Sequence, residues 1–72
     1  MGTNQDKILA FMKSVNRPVS TVEITRNVWP NLTYQKYQSR FRTVHRNLTD
    51  LTKYGLVKKG PMIDKDRTWV II

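Results

Sequence analysis

The chain contains no cysteine, so neither a disulfide framework nor a thiolate metal site can hold its fold together. It also lacks an apolar run that approaches the length of ~20 residues needed to cross a bilayer. Its first residues, MGTNQDK, have no apolar signal-peptide core. We therefore expect a soluble, cytoplasmic protein with no membrane partner, associated with the nucleoid if its source is prokaryotic.

Acidic residues are scarce, with five Asp and Glu against thirteen Lys and Arg and a formal net charge of +8. Such an excess attracts polyanions, of which nucleic acid is the commonest. The charge is also uneven, because residues 33–60 hold seven of the basic residues and a single acidic residue, Asp50. One segment therefore carries most of the positive field.

Groups for acid-base or nucleophilic chemistry are few, and no glycine-rich phosphate loop is present. We expect no enzyme, no catalytic residue, no cofactor and no small-molecule substrate. His45 is the single histidine. Without a second ligand at suitable spacing, it fits a phosphate contact or plain exposure better than a metal site.

The hydrophobic content of 39% is that of a globular protein, and 72 residues allow one domain, residues 1–72. Helical spacing of apolar residues predicts a first helix over about 4–15, which Pro18 separates from the next element. The pattern S-x-x-E from Ser20 to Glu23 predicts a capping box and a second helix from Thr21 to before Pro30. The apolar residues of these two helices are Ile8, Phe11, Met12 and Val15, then Ile24 and Val28.

A third helix is predicted from Thr33 to before Gly55, which suits the left-handed residue that ends helices, with Leu56 folded back on the last turn. Then "LVKK" and "RTWVII" have strand-like composition around the predicted loop "GPMIDKD". The fold class is therefore α+β, with three helices before a β-hairpin and Trp69 in the core. The stripe of the third helix consists of Tyr34, Tyr37, Phe41, Val44, Leu48 and Leu51.

The segment "TVHRNLTDLTKYGLVKKG" resembles the end of the recognition helix and the start of the wing in winged helix-turn-helix transcriptional regulators, such as the arsenic-responsive and multiple-antibiotic-resistance repressors. The resemblance lies in Leu48, Leu51 and the run Gly55-Leu56-Val57, and the order of elements extends it over residues 5–72. It implies a small regulator that binds double-stranded DNA sequence-specifically, with the third helix in the major groove and the hairpin wing on the backbone.

Val28 and Val44 are further apart along the sequence than the corresponding residues of the resembled families. The segment "WPNLTYQKYQ" is therefore either an insertion or an early extension of the third helix. We favour the extension, because the apolar stripe keeps its phase from Tyr34 onward. The alternative start lies near Gln38.

Opposite Val44, the third helix presents a polar, basic face, and Arg40 lies nearer the apolar stripe, where its stem can snorkel. Arginine suits guanine edges and glutamine adenine edges, while Ser, Thr and Lys commonly hold phosphates. A merely solvated surface is the alternative, but the shortage of acidic i,i+4 partners favours DNA contact. The candidate DNA-binding residues of this helix are Gln35, Gln38, Ser39, Arg42, Thr43, Arg46, Thr49 and Lys53.

The predicted wing supplies four further candidates, Lys58, Lys59, Lys65 and Arg67. The alternative interpretation is that their charge keeps a short hairpin soluble and blocks pairing at the strand edge. Asp64 and Asp66 would repel phosphate if they lay at the tip.

Trp29, Tyr34 and Tyr37 have two interpretations, as core residues or as the surface of a homodimer on a two-fold DNA site. For the whole chain the alternative function is a winged-helix module that binds protein or RNA. Salt-sensitive binding to duplex DNA separates the two functions.

Overall fold

The computed structural model describes residues 3–72 and contains three helices followed by an antiparallel hairpin. This is the α+β layout of a winged helix, and the predicted fold class and order are confirmed. A short strand between the first two helices was not predicted. The elements are α1 (Thr3–Val15), β1 (Val19–Ser20), α2 (Thr21–Val28), α3 (Tyr34–Lys53), β2 (Val57–Ile63) and β3 (Asp66–Ile71).

The three strands form one sheet in the order β1-β3-β2. Strand β1 pairs antiparallel with β3, with Val19 opposite Trp69 and Ser20 opposite Thr68. The sheet therefore ties the junction between α1 and α2 to the hairpin. Two residues are too short for an alternating pattern, so the sequence after Pro18 does not predict this strand.

The core joins all three helices to the sheet, and Trp69, only 1% exposed, confirms its predicted place there. The Trp69 indole N–H donates a hydrogen bond to Thr21 Oγ1 at 3.0 Å, which satisfies this buried donor. Val28 lies half-buried at the margin of the core. The buried apolar residues are Ile8, Leu9, Met12, Val19, Ile24, Val44, Leu48, Leu51, Val57 and Trp69.

The start of α2 has the predicted Ser20 cap, and the Ser20 backbone also interacts with the Glu23 carboxylate. Ser20 Oγ accepts a hydrogen bond from the Glu23 backbone N–H at 3.1 Å. The Glu23 carboxylate also binds Arg17, with 3.2 Å between Arg17 Nη1 and Glu23 Oε1. This hydrogen bond lowers the pKa of Glu23 below its ordinary value, against the opposing effect of burial. Glu23 therefore fastens the α1–β1 connection to α2.

The end of α3 has the predicted glycine cap. Gly55 has a φ of 77°, and its N–H donates to the Thr52 carbonyl at 3.1 Å. The Leu56 N–H reaches back to the Leu51 carbonyl at 3.0 Å. These two bonds form the Schellman arrangement that satisfies the last carbonyls of a helix.

The hairpin loop is much shorter than the predicted "GPMIDKD", and that prediction was wrong in extent. Strand β2 continues to Ile63, which pairs with Asp66, so the turn consists of Asp64 and Lys65. Both turn residues have positive φ, 50° and 67°. Positive φ at both central residues gives the twist that suits a two-residue hairpin.

Gly60 and Pro61 form a bulge within β2 rather than a loop. Lys59 pairs with Trp69 and Met62 pairs with Arg67, so the two bulge residues lie opposite Thr68 alone. The Thr68 hydroxyl donates a hydrogen bond to the Pro61 carbonyl. A Cβ added at Gly60 would lie 2.6 Å from Thr68 Oγ1, so a larger residue would displace the hydroxyl that binds the Pro61 carbonyl. Bulges accommodate both glycine and proline, which is why composition alone suggested a loop.

Candidate nucleic-acid interface

The outward face of α3 is exposed along the whole helix, while Val44 on the opposite side is fully buried. Thr43 differs from the other candidates because it is half-buried. Its hydroxyl donates to the Ser39 carbonyl at 3.1 Å, as that of Thr49 does to the His45 carbonyl at 3.0 Å. The seven exposed candidates are Gln35, Gln38, Ser39, Arg42, Arg46, Thr49 and Lys53. One helix therefore presents amide, hydroxyl and cationic groups to a common side.

The cations of this face have no carboxylate partners. Within residues 3–72, the Arg17–Glu23 pair is the single ion pair, and it joins the α1–β1 connection to α2, not α3. Asp50 is half-buried and lines a shallow groove along α3. The charge of Arg42, Arg46 and Lys53 is therefore left for a partner outside the chain.

The first two turns of α3 extend past the core. The helix begins at Tyr34, where Thr33 Oγ1 accepts a hydrogen bond from the Lys36 N–H at 3.4 Å. This confirms the early extension of the helix and rules out a start near Gln38. Tyr34 is 76% exposed, although it continues the apolar stripe.

Two cation-π contacts join the N-terminal half of α3 to α2 and to the residue that caps the C-terminal end of α2. The Arg40 guanidinium lies 5.0 Å from the centroid of Trp29, and that of Arg26 lies 5.8 Å from the centroid of Tyr37. Trp29 is half-buried and packs against the core. Arg40 therefore has a definite structural contact beyond the expected snorkelling.

The hairpin candidates divide between its two faces. Lys59 and Arg67 line the same cleft as Trp69 and so face α3. Lys58 precedes Lys59 in the strand and therefore points to the other side of the sheet. Lys65 lies in the turn beside Asp64, so a carboxylate does occupy the tip, the arrangement expected to repel phosphate.

A cleft of about 320 Å³ separates α3 from the hairpin. The His45 ring stands edge-on to Trp69, with 5.9 Å between the ring centroids. His45 therefore points toward the hairpin. The lining residues are His45, Thr49, Thr52, Lys53, Lys59, Arg67 and Trp69.

Across residues 3–72, no three His, Cys, Asp or Glu side chains come together in a way that could hold a metal ion. In that part of the chain, none of the helices combines the length and apolar character of a membrane span.

No protein-family model matches the chain, and comparison with curated proteins and with solved structures finds no match either. What the chain binds must therefore be inferred from its own surface.

Proposed function

We propose that this domain binds double-stranded DNA sequence-specifically as a small transcriptional regulator, with α3 in the major groove and the hairpin on the backbone. The observation that carries the proposal is the exposed basic face of α3, whose Arg42, Arg46 and Lys53 lack carboxylate partners. A hairpin with Lys59 and Arg67 on its facing side lies next to it.

The shape of α3 supports insertion into DNA. A major groove about 12 Å wide admits one helix, and side chains from a single face reach the base edges. The exposed first turns of α3 give such a helix room to enter without unpacking the core. Arg42 and Arg46, four residues apart on this face, would donate to guanine edges, and Gln35 and Gln38 to adenine edges.

Selection of bound sequences from a random duplex pool tests binding and specificity together. On the selected site, Arg42→Ala and Arg46→Ala should each cost about 1 to 3 kcal/mol and relax preference at one base pair. Lys53→Ala is the control for a phosphate contact, and it should weaken binding to selected and scrambled duplexes alike. If both arginine variants keep the wild-type ratio between the two duplexes, the base-reading role is wrong.

Salt dependence tests the electrostatic part of the proposal. Each phosphate contact releases condensed counterions, so log affinity should fall against log salt with a slope near 0.9 per contact. Equal binding to duplex DNA at low and high salt would contradict DNA binding through these cations.

The alternative is an RNA- or protein-binding module, and one observation favours its protein-binding form: Asp64 lies at the hairpin tip. A carboxylate there opposes a close phosphate contact by the tip itself. Duplex RNA of the same sequence distinguishes the functions, because the deep, narrow major groove of A-form RNA excludes a helix. We expect DNA to bind more tightly than RNA, and the reverse order supports the alternative.

A further inference from the structure

A hollow of about 380 Å³ lies on the surface between α2 and the N-terminal half of α3. Its apolar lining consists of Val22 from α2 and of Tyr37 and Phe41 from α3, and Gln38 and Arg42 complete it. Val22 and Phe41 also line a second hollow of about 270 Å³ on the side of the hairpin, so the two hollows meet at this pair. An apolar surface therefore opens beside two residues to which base contacts are assigned.

The two phenylalanines of the chain have different surroundings. Phe11, on α1, is half-buried and packs against the core. Phe41 is also half-buried, but it lines three hollows along the surface of α3. Part of the Phe41 side chain is therefore available to a partner.

The walls of the hollow are held in place by contacts within the protein. Tyr37 and Phe41 are one turn apart on α3, with 6.2 Å between their ring centroids. The Arg26 guanidinium lies 5.8 Å from the centroid of Tyr37 and ties this ring to α2, the helix that also carries Val22. An occupant of the hollow would therefore need little ordering of its walls, which favours binding.

The charges around the hollow narrow the choice of occupant. None of its five lining residues is acidic, and Arg42 is cationic. A second copy of the chain would be repelled, because each copy has a formal net charge of +8. The fitting occupant is an apolar group carried by a polyanion. In the major groove of DNA, that group is the methyl group of thymine.

The position of Gln38 agrees with this occupant. Its side-chain amide donates to the Tyr34 hydroxyl at 2.9 Å, which uses one of its two amide hydrogens. The other hydrogen and the carbonyl oxygen are the groups that a bidentate contact with adenine requires. Adenine pairs with thymine, so the major-groove edge of one A·T pair offers both the adenine groups and the thymine methyl group.

We propose that this hollow receives the methyl group of a thymine, in contact with Val22 and Phe41. The inference rests on the proposed function and goes beyond it, since it assigns an apolar base contact to residues outside the polar face of α3. Val22 and Phe41 are then specificity-determining residues. Helix α2 takes part in base recognition through Val22, in addition to supporting α3.

Uracil in place of thymine tests the methyl contact on the unmodified protein. Uracil lacks only the methyl group and keeps the same base pairing. In the duplex selected by the wild-type protein, each thymine is replaced by uracil in turn. We expect one position at which the affinity falls about three- to fivefold, the effect of leaving one methyl group out of an apolar contact.

Phe41→Ala and Phe11→Ala are a matched pair for assigning this loss to the hollow. Both remove a half-buried phenyl ring, and only that of Phe41 lines the hollow. Phe41→Ala should bind the thymine and uracil duplexes almost equally, whereas Phe11→Ala should keep the wild-type ratio. The ratio is unaffected by a general loss of folded protein, which circular dichroism measures separately. Val22→Ala is a second, smaller change and should lower the ratio in the same direction.

A nuclear Overhauser contact gives an independent measurement. In the wild-type complex, the methyl protons of the sensitive thymine should show this contact with the ring protons of Phe41. Uracil without effect at every position, a selected site without thymine, a wild-type ratio in Phe41→Ala or a missing Overhauser contact overturns this inference while DNA binding stands. A wild-type protein that binds no duplex overturns the proposed function and this inference with it.

Discussion

The two halves of α3 have the same sequence pattern but different environments. In the C-terminal half, Val44, Leu48 and Leu51 are fully buried in a core shared with the other helices and the sheet. In the N-terminal half, Tyr37 is half-buried and Tyr34 is exposed. One half anchors the helix, and the other projects its polar face beyond the core.

The comparison shows that an apolar stripe marks a direction around a helix but not how far the core extends beneath it. Tyr34 and Leu48 belong to the same stripe, and only their surroundings distinguish them. The projecting half is held at its edge by the contact between Arg40 and Trp29 and by the one between Arg26 and Tyr37. Such edge contacts leave the opposite side free for a partner.

The largest effect should come from the anchored half. Leu48→Ala removes a fully buried side chain and leaves a cavity, so the free energy of unfolding should fall by about 2 to 5 kcal/mol. Urea denaturation followed by circular dichroism measures this loss. A change below 1 kcal/mol would show that the C-terminal half does not anchor the helix, and the comparison would fail.

An intermediate effect is expected where the projecting half contacts α2. Arg40→Gln removes the cation over Trp29 and should cost about 0.5 to 1 kcal/mol, with faster amide exchange in the first turns of α3. Lys36→Gln, an exposed change in the same segment, is the control and should alter neither quantity. Identical results for the two variants would mean that the stacking does not hold this half of α3.

The smallest effect on stability should come from the end of the projecting half. Tyr34→Ser should change the free energy of unfolding by less than about 0.5 kcal/mol, because the side chain is 76% exposed. If Tyr34 belongs to a homodimer surface, the same change should weaken self-association in sedimentation experiments. Tyr54→Ser is the control, since Tyr54 is 64% exposed at the other end of α3. Strong destabilisation by Tyr34→Ser would place it in the core after all.

Local signals predicted the helices well. Ser20 caps α2 and Gly55 ends α3. Each of them completes the backbone hydrogen bonds of one helix end, which involves only a few neighbouring residues. The outward exposure of the basic residues of α3 also followed from helical geometry. Its DNA contacts remain a prediction, since exposure alone does not identify a ligand.

The features that sequence reasoning missed depend on distant residues. Strand β1 exists because Val19 and Ser20 pair with Trp69 and Thr68, about fifty positions away. The cleft exists because the register of the hairpin places Lys59 and Arg67 on the side that faces α3. The longer loop predicted from the sequence does not give this register. The bulge at Gly60 likewise depends on Thr68 across the strand pair.

The bulge in β2 has a consequence for how copies of this protein behave at high concentration. β2 lies at the edge of the sheet, and an edge strand with a regular row of free backbone groups is a template for adding a strand from another molecule. Pro61 lacks an N–H to offer, and the displaced backbone around Gly60 breaks the spacing that an incoming strand would need. The edge strand β2 can therefore be exposed to solvent without pairing readily with a strand of another molecule.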